Sequence, residues 1–232
     1  MDLGCGTGLL TAMLSQQVSN SGEVIGVDES DDMLTIARRN ATAPNTTFIH
    51  SSAESVNEVI GKRVDAVFSN AAFWQFDRLL TVTALSRIMN DGGQLYFNLS
   101  AGFLTDNLWE PTRHPYYRQH EVMAKWIELA RKRFPNHPFL SSVKQRSPQS
   151  MADITKDLAS FGFTVQRVEP LSFEIPRTDE FEWLKIPQWT NRTLAPLSRL
   201  EREAVLKDVF EDIPKEATFL GRWVMITTRY RR

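Results

Sequence analysis

An α/β fold, built on a mostly parallel sheet with helices on both faces, is what this sequence predicts, and three observations carry the prediction. Apolar residues along roughly the first 100 positions switch repeatedly between a strand period and a helical period. A glycine-rich loop, "DLGCGTG", comes before the first helical stretch. After an interruption the alternation resumes and closes on a long strand, "TFLGRWVMITTRY".

The elements follow in order. "LLTAMLSQQVS" has helical spacing, "EVIGVD" reads as a short buried strand, and "DDMLTIARRN" as an amphipathic helix. A strand at "TTFIHS", a short helix near "AESVNEVIG", a strand at "DAVFSN", a helix at "FDRLLTVTALSRIM" and a strand at "GGQLYFNLS" continue the pattern. Residues 101–149 interrupt it, with a helix in "YYRQHEVMAKWIELARKRF" and a Pro- and Ser-containing loop, "NHPFLSSVKQRSPQS". "MADITKDLASFG" and "FTVQRVEPLSF" restore a helix and a strand. A second insertion, 174–217, carries helical patterns at "DEFEWLKI" and "SRLEREAVLKDVFEDI". The chain is expected to form a single domain in which both insertions leave the carboxyl edge of the sheet as helical lids.

Composition narrows the function. The 232 residues, 42% of them hydrophobic, suffice for one domain with a substantial core. With 27 Lys and Arg against 28 Asp and Glu, no overall charge favours nucleic acid. One cysteine, Cys5, allows no internal disulfide and fits a reducing, cytoplasmic setting. The apolar stretch "GLLTAML" is far short of the roughly 20 residues that span a bilayer, so neither signal peptide nor membrane partner is expected. Matches to N-x-S/T begin at Asn40, Asn45, Asn98 and Asn191, and without secretion they carry no weight.

Glycines at 4, 6 and 8 allow a tight turn and close backbone approach to a ligand, and the helix that follows offers free N–H groups. A nicotinamide fingerprint would need its third glycine where Leu9 stands, and a phosphate-gripping P-loop would need a G-K-[ST] that is missing. What "DLGCGTG" resembles is the first motif of the class I S-adenosylmethionine-dependent methyltransferases, of the small-molecule, type 11/25-like kind. Three further segments resemble that family in the right order: "GVDESDDMLTIARRN", "HSSAESV" and "DAVFSNAAFW". The resemblance covers roughly the first 100 residues. It implies a Rossmann-like three-layer sandwich, a seven-stranded sheet with an antiparallel last strand, and S-adenosyl-L-methionine as cofactor.

By that resemblance the cofactor site comprises Asp2, Gly4, Cys5, Gly6, Thr7, Gly8, Asp28, Glu29, Met33, Ser52, Ala53, Glu54, Asn70 and Ala71. Gly4, Gly6 and Gly8 contact the methionine and ribose portion, and Asp2 orders the loop or reaches the methionine ammonium through water. Asp28, at the end of its strand, accepts the ribose hydroxyls. Met33 packs on the adenine, and Asn70 with Ala71 borders the reactive methyl. Plainer alternatives are a core methionine at 33, a strand-ending turn former at Asn70 and a helix-capping carboxylate at Asp28. Where the family often has Asp near the adenine amino group this chain has Ser52, with Glu54 close enough to substitute.

Methyl transfer by in-line displacement needs positioning more than acid-base machinery. His114 is the candidate base, with His120, Glu110 and Glu121 near it in sequence. Substrate contacts are expected from Phe73, Trp74, Trp109, Tyr116, Trp183 and Trp189, an aromatic set that favours a small acceptor over a polymer. The reading includes no metal and leaves oligomeric state open. A nucleic-acid methyltransferase is a weaker alternative, since no Asn/Asp-Pro-Pro-aromatic segment follows the fourth strand. A non-catalytic S-adenosylmethionine-binding or scaffold protein is the alternative from a different class. Only Met1 to Leu3 precede the loop where a central strand ordinarily runs about 5 to 6 residues, which leads to the expectation that the chain is N-terminally incomplete.

Overall fold

A computed structural model describes residues 1–18, 21–109, 119–137, 148–186, 194 and 197–232, with backbone alone at 119 and 120. Seven strands form one sheet in the order β3-β2-β1-β4-β5-β7-β6. They are β1 (Asp2–Leu3), β2 (Val24–Asp28), β3 (Thr46–His50), β4 (Val64–Ser69), β5 (Met89–Ser100), β6 (Phe163–Pro176) and β7 (Thr218–Tyr230). β1 lies parallel between β2 and β4, pairing Asp2 with Gly26 and with Phe68. β7 runs antiparallel to β5, from Gln94 opposite Arg229 to Ser100 opposite Trp223. The mixed, mostly parallel sheet expected from the alternating periods is therefore present.

Helices α1 (Leu9–Gln17), α2 (Asp31–Asn40), α3 (Val56–Val59) and α4 (Arg78–Ile88) follow strands as the sequence implies, and α6 (Met151–Ala159) precedes β6. Their starts have local causes. Ser30 caps α2 by accepting the Met33 N–H, and Asp31 and Asp32 in the first turn with Arg38 and Arg39 in the last suit the helix dipole. Asp77 caps α4 and Ser150 caps α6 in the same way. Arg78, at the start of α4, ties to α6 through Asp157 and also reaches Gln149. β6 extends three residues past the expected strand, ending at Pro176, which has no N–H to give a ladder.

The described chain divides into two compact units. The first contains Met1–Leu108, Pro148–Leu171 and Trp223–Arg232, and the second Trp109–Ser147 and Ser172–Arg222. In the first, Leu3, Val27, Val67, Leu85, Leu95 and Phe97 form the buried centre between helices and sheet. The second has its own core from α5 (Gln119–Arg133), α7 (Arg177–Leu184) and α8 (Arg199–Glu211), gathered around Trp126, Leu184, Leu206 and Phe210. The Trp126 Nε1–H donates to the Arg202 carbonyl at 3.0 Å, which lets a large apolar ring be buried without stranding its polar atom. A capping box of Ser198 and Glu201 starts α8, and Arg177 donates to the Phe210 and Ile213 carbonyls near its end. Among the described residues no helix is long and apolar enough to cross a membrane.

Candidate functional site

Parallel strands place the loops after β1, β2, β3 and β4 along one edge of the sheet, and the candidate cofactor residues lie in or beside those loops. The glycine loop turns through three left-handed residues, with φ of +72° at Gly4, +52° at Gly6 and +79° at Gly8. These glycines serve different purposes. A Cβ on Gly4 would stand 2.6 Å from the Ala72 methyl, and one on Gly8 2.9 Å from that of Ala37, so both are required for packing. A Cβ on Gly6 would meet no atom of the described residues within 4 Å. There the absent side chain leaves open space beside the backbone.

The loop is anchored to the next strand. The Gly6 N–H donates to Asp28 Oδ2 at 2.8 Å, and Asp28 Oδ1 accepts the Ser30 N–H at 2.9 Å. Each carboxylate oxygen keeps a lone pair for a further donor. Asp28 is not the cap of α2, since Ser30 has that role. Asp2 is 1% exposed and accepts the Thr11 hydroxyl at 2.6 Å, linking β1 to α1. Burial raises its carboxyl above the ordinary range, opposed by the Thr11 hydrogen bonds. Burial, and then the charges of Asp2 and Asp28, push the Cys5 thiol up to about 12, so Cys5 acts in packing and not as a nucleophile. Thr7 is exposed, and its carbonyl accepts from the Asn40 amide. Gly8 precedes α1 without any side-chain cap, leaving that helix start open.

Met33 stands at the start of α2 with its side chain partly exposed, and Glu29 is exposed with its carbonyl 2.9 Å from His50 Nε2. After β3, Ser52 Oγ accepts the Ser55 N–H at 3.3 Å, Ala53 is buried, and Glu54 Oε1 accepts the Asp77 N–H at 2.6 Å. Glu54 thus secures the start of α4 with one of its oxygens. After β4, Asn70 is exposed and Ala71 takes φ +55°, a left-handed conformation uncommon outside glycine. The structure brings these fourteen residues together in the strand ends, loops and first helical turn along one sheet edge.

The described members of the expected substrate set fall in both units. Phe73 is buried, stacked on Phe97 with 4.1 Å between centroids and edge-on to Phe76, so its ring belongs to the core of the first unit. Trp74 stacks on Phe103 and donates its Nε1–H to the Ala71 carbonyl at 3.0 Å. Trp109, buried, and Trp183, half-buried on α7, belong to the second unit. His114, Tyr116 and Trp189 lie outside the described residues, as do Glu110 and the side chain of His120. Among the described residues no group of three His, Cys, Asp or Glu side chains could hold a metal ion.

One residue escaped the sequence reading. Asn98, in the apolar run "LYFNLS" of β5, is buried, accepts the Ala71 N–H at 2.6 Å and donates to Asn70 Oδ1 at 2.5 Å. Its signal was there: an amide on a central strand must find partners, and its alternating position faces the rim residues of β4.

The strand order, the antiparallel last strand and a glycine loop tied to an acidic residue at the end of β2 define a domain of the class I methyltransferase fold. In sequence, residues 1–93 match a family model described as a methyltransferase domain. Arsenite methyltransferase of Mus musculus is 30% identical over 110 residues, covering 42% of this chain and 29% of that protein. The chain spans less than half the length of the first curated relatives it matches. Among solved structures, YcgJ of Bacillus subtilis has a TM-score of 0.56 at 18% identity, covering 100% of this chain and 91% of that one. The [4+2]-cyclase SpnF has a TM-score of 0.57 at 15% identity, covering 99% and 74%.

Proposed function

We propose that this chain binds S-adenosylmethionine and transfers its methyl group to a small-molecule acceptor. The observation that carries the reading is Gly6: a left-handed glycine whose Cβ direction is open, with its N–H held by the carboxylate that ends β2. Packing adds to the left-handed backbone at Gly4 and Gly8; at Gly6 the backbone alone favours glycine, and the open space in its Cβ direction leaves room for close approach of a ligand. The surroundings suit the group. Asp28 has lone pairs for the ribose hydroxyls, the uncapped start of α1 suits the methionine carboxylate, and the partly exposed Met33 suits the adenine face.

The cofactor, when bound, supplies a methyl group already activated on a sulfonium. The chain's own residues then have to bind, orient and exclude water. Asp28 does so through the loop it anchors, and Asn70 with Ala71 through the turn after β4. A carboxylate acceptor needs no base in such a site, whereas a hydroxyl or carbon acid does, and His114 is the candidate in that case. Near-neutral charge and the matched relative named for arsenite both favour a small acceptor.

A second reading, binding without transfer, draws on SpnF, a [4+2]-cyclase whose structure has this fold. Incubating the protein with methyl-labelled S-adenosylmethionine and panels of phenol, carboxylate, amine and thiol acceptors tests the choice. Transfer that disappears in Asp28→Ala supports the enzyme. Binding with no labelled product from any panel member supports the second reading.

A further inference from the structure

Asn98 is a buried amide between the buried Phe97 and Leu99, at a position where a central strand ordinarily carries an apolar side chain. Its partners determine its orientation. The Ala71 backbone N–H can only donate, so the atom of Asn98 that meets it at 2.6 Å is the oxygen. The nitrogen of Asn98 then faces Asn70, and Asn70 must answer with its own oxygen, at 2.5 Å. The Asn70 nitrogen, with two N–H donors, is thereby turned away from Asn98 at the exposed end of β4.

The same clamp acts on the backbone. Ala71 is held at φ +55°, a region where an alanine is strained and a glycine is not. The Trp74 Nε1–H fixes the Ala71 carbonyl at 3.0 Å, and the next residue, Ala72, carries the methyl that leaves no room for a side chain on Gly4. A chain of contacts therefore runs from Asn98 through the left-handed turn to the first glycine of the loop.

We propose that Asn98 is a positioning residue: it holds the Asn70–Ala72 turn in its left-handed form against the glycine loop and fixes the Asn70 amide as an outward hydrogen-bond donor. A ligand group meeting Asn70 is then an oxygen acceptor, such as a carboxylate, carbonyl or hydroxyl, and not an ammonium. This rests on the S-adenosylmethionine reading for its ligand, and its test lets the two fail separately.

The full chain is titrated with S-adenosylhomocysteine as wild type, Asn98→Leu, Ala71→Gly and the double variant, with circular dichroism to establish folding. Asn98→Leu is expected to weaken binding at least tenfold, and Ala71→Gly in that background to recover most of the loss, because glycine holds the turn without the clamp. Side-chain ¹⁵N spectra of wild type and Asn98→Asp form a second arm that needs no ligand. In wild type the Asn98 NH₂ protons are expected to be protected from water and those of Asn70 to exchange freely; in Asn98→Asp the Asn70 NH₂ becomes protected against the new carboxylate. Wild type that binds no S-adenosylhomocysteine removes the reading of the site while the spectra still decide the clamp. Equal affinity in Asn98→Leu, absence of rescue, or an Asn70 NH₂ already protected in wild type overturns the role of Asn98.

Discussion

Adding a single methyl group at Gly6 separates what the loop needs in order to fold from what it needs in order to bind. At φ +52° a Cβ brings the left-handed penalty of about 1–2 kcal/mol, and with no described residue within 4 Å no steric cost is added. For a domain of this size each kcal/mol lowers Tm by about 2–4 °C, so Gly6→Ala should melt about 2–8 °C below wild type. Gly8→Ala carries the same backbone penalty and also drives a Cβ to 2.9 Å from the Ala37 methyl and 3.0 Å from its Cα. Overpacking of that kind adds about 1–3 kcal/mol, so its total is about 2–5 kcal/mol. Binding should rank the other way. At a hundredfold excess over Kd a ligand stabilises by about 2.7 kcal/mol, which raises wild-type Tm by about 5–11 °C with S-adenosylhomocysteine. Gly6→Ala should keep less than a third of that gain, because its new methyl occupies the space left for the ligand. Thermal denaturation of the three proteins with and without S-adenosylhomocysteine reads both quantities. A Gly6→Ala protein with the full ligand-induced gain, or one that melts below Gly8→Ala, would refute the reasoning.

Three other outcomes follow from the same geometry. Cys5, with its thiol held near 12, should resist a thiol reagent at pH 8 in the native protein and react fully in guanidinium; rapid native labelling would contradict its burial. Thr81 is fully buried with a hydroxyl that has no hydrogen-bond partner among the described residues, so Thr81→Val should raise Tm by about 2–4 °C, a gain of about 1 kcal/mol, and a fall in Tm would show that the hydroxyl is used. The carboxyl of Asp2 is raised by burial, so folding favours its protonated form. Its contribution is complete below the unfolded value, near 3.8, and is lost as pH rises through the higher folded value. Asp2→Asn keeps an oxygen for Thr11 and removes the buried charge. Its Tm should exceed wild type at pH 7–8 by a margin that shrinks toward pH 4, and a margin that grows on acidification would reverse the assignment.

Much of the fold was legible because the sheet is built from local signals. "DDMLTIARRN" coincides with α2 since Ser30, the paired acids and the terminal arginines mark both ends of that helix. β7 coincides with "TFLGRWVMITTRY" because strand-forming residues run without a break up to its partner register on β5. β6 was underestimated because Glu174 and Pro176 are poor strand formers, yet the strand runs on through Glu174 and Ile175 to Pro176. That the fourteen candidate residues are neighbours was legible because parallel strands end along one edge of the sheet. What could not be read was how each polar group is used. Ser52 and Glu54 hold backbone amides at the starts of neighbouring elements, and such side-chain to backbone bonds leave no periodic trace. Phe73 and Trp74 follow Asn70 in sequence, yet a short 3-10 turn carries both rings inward onto Phe97 and Phe103. Asn98 appeared in the sequence only as part of an N-x-S match, because the amide pair it makes joins residues 28 positions apart.

Isothermal titration of S-adenosylmethionine into the full chain tests the central claim most directly, with Asp28→Ala as its companion. The account predicts a single site per chain in wild type and loss of binding in Asp28→Ala, because that substitution removes both the proposed ribose acceptor and the anchor of the Gly6 N–H. A folded wild-type protein that gives no heat and no thermal shift at millimolar S-adenosylmethionine, or one that binds it unchanged after Asp28→Ala, would contradict it.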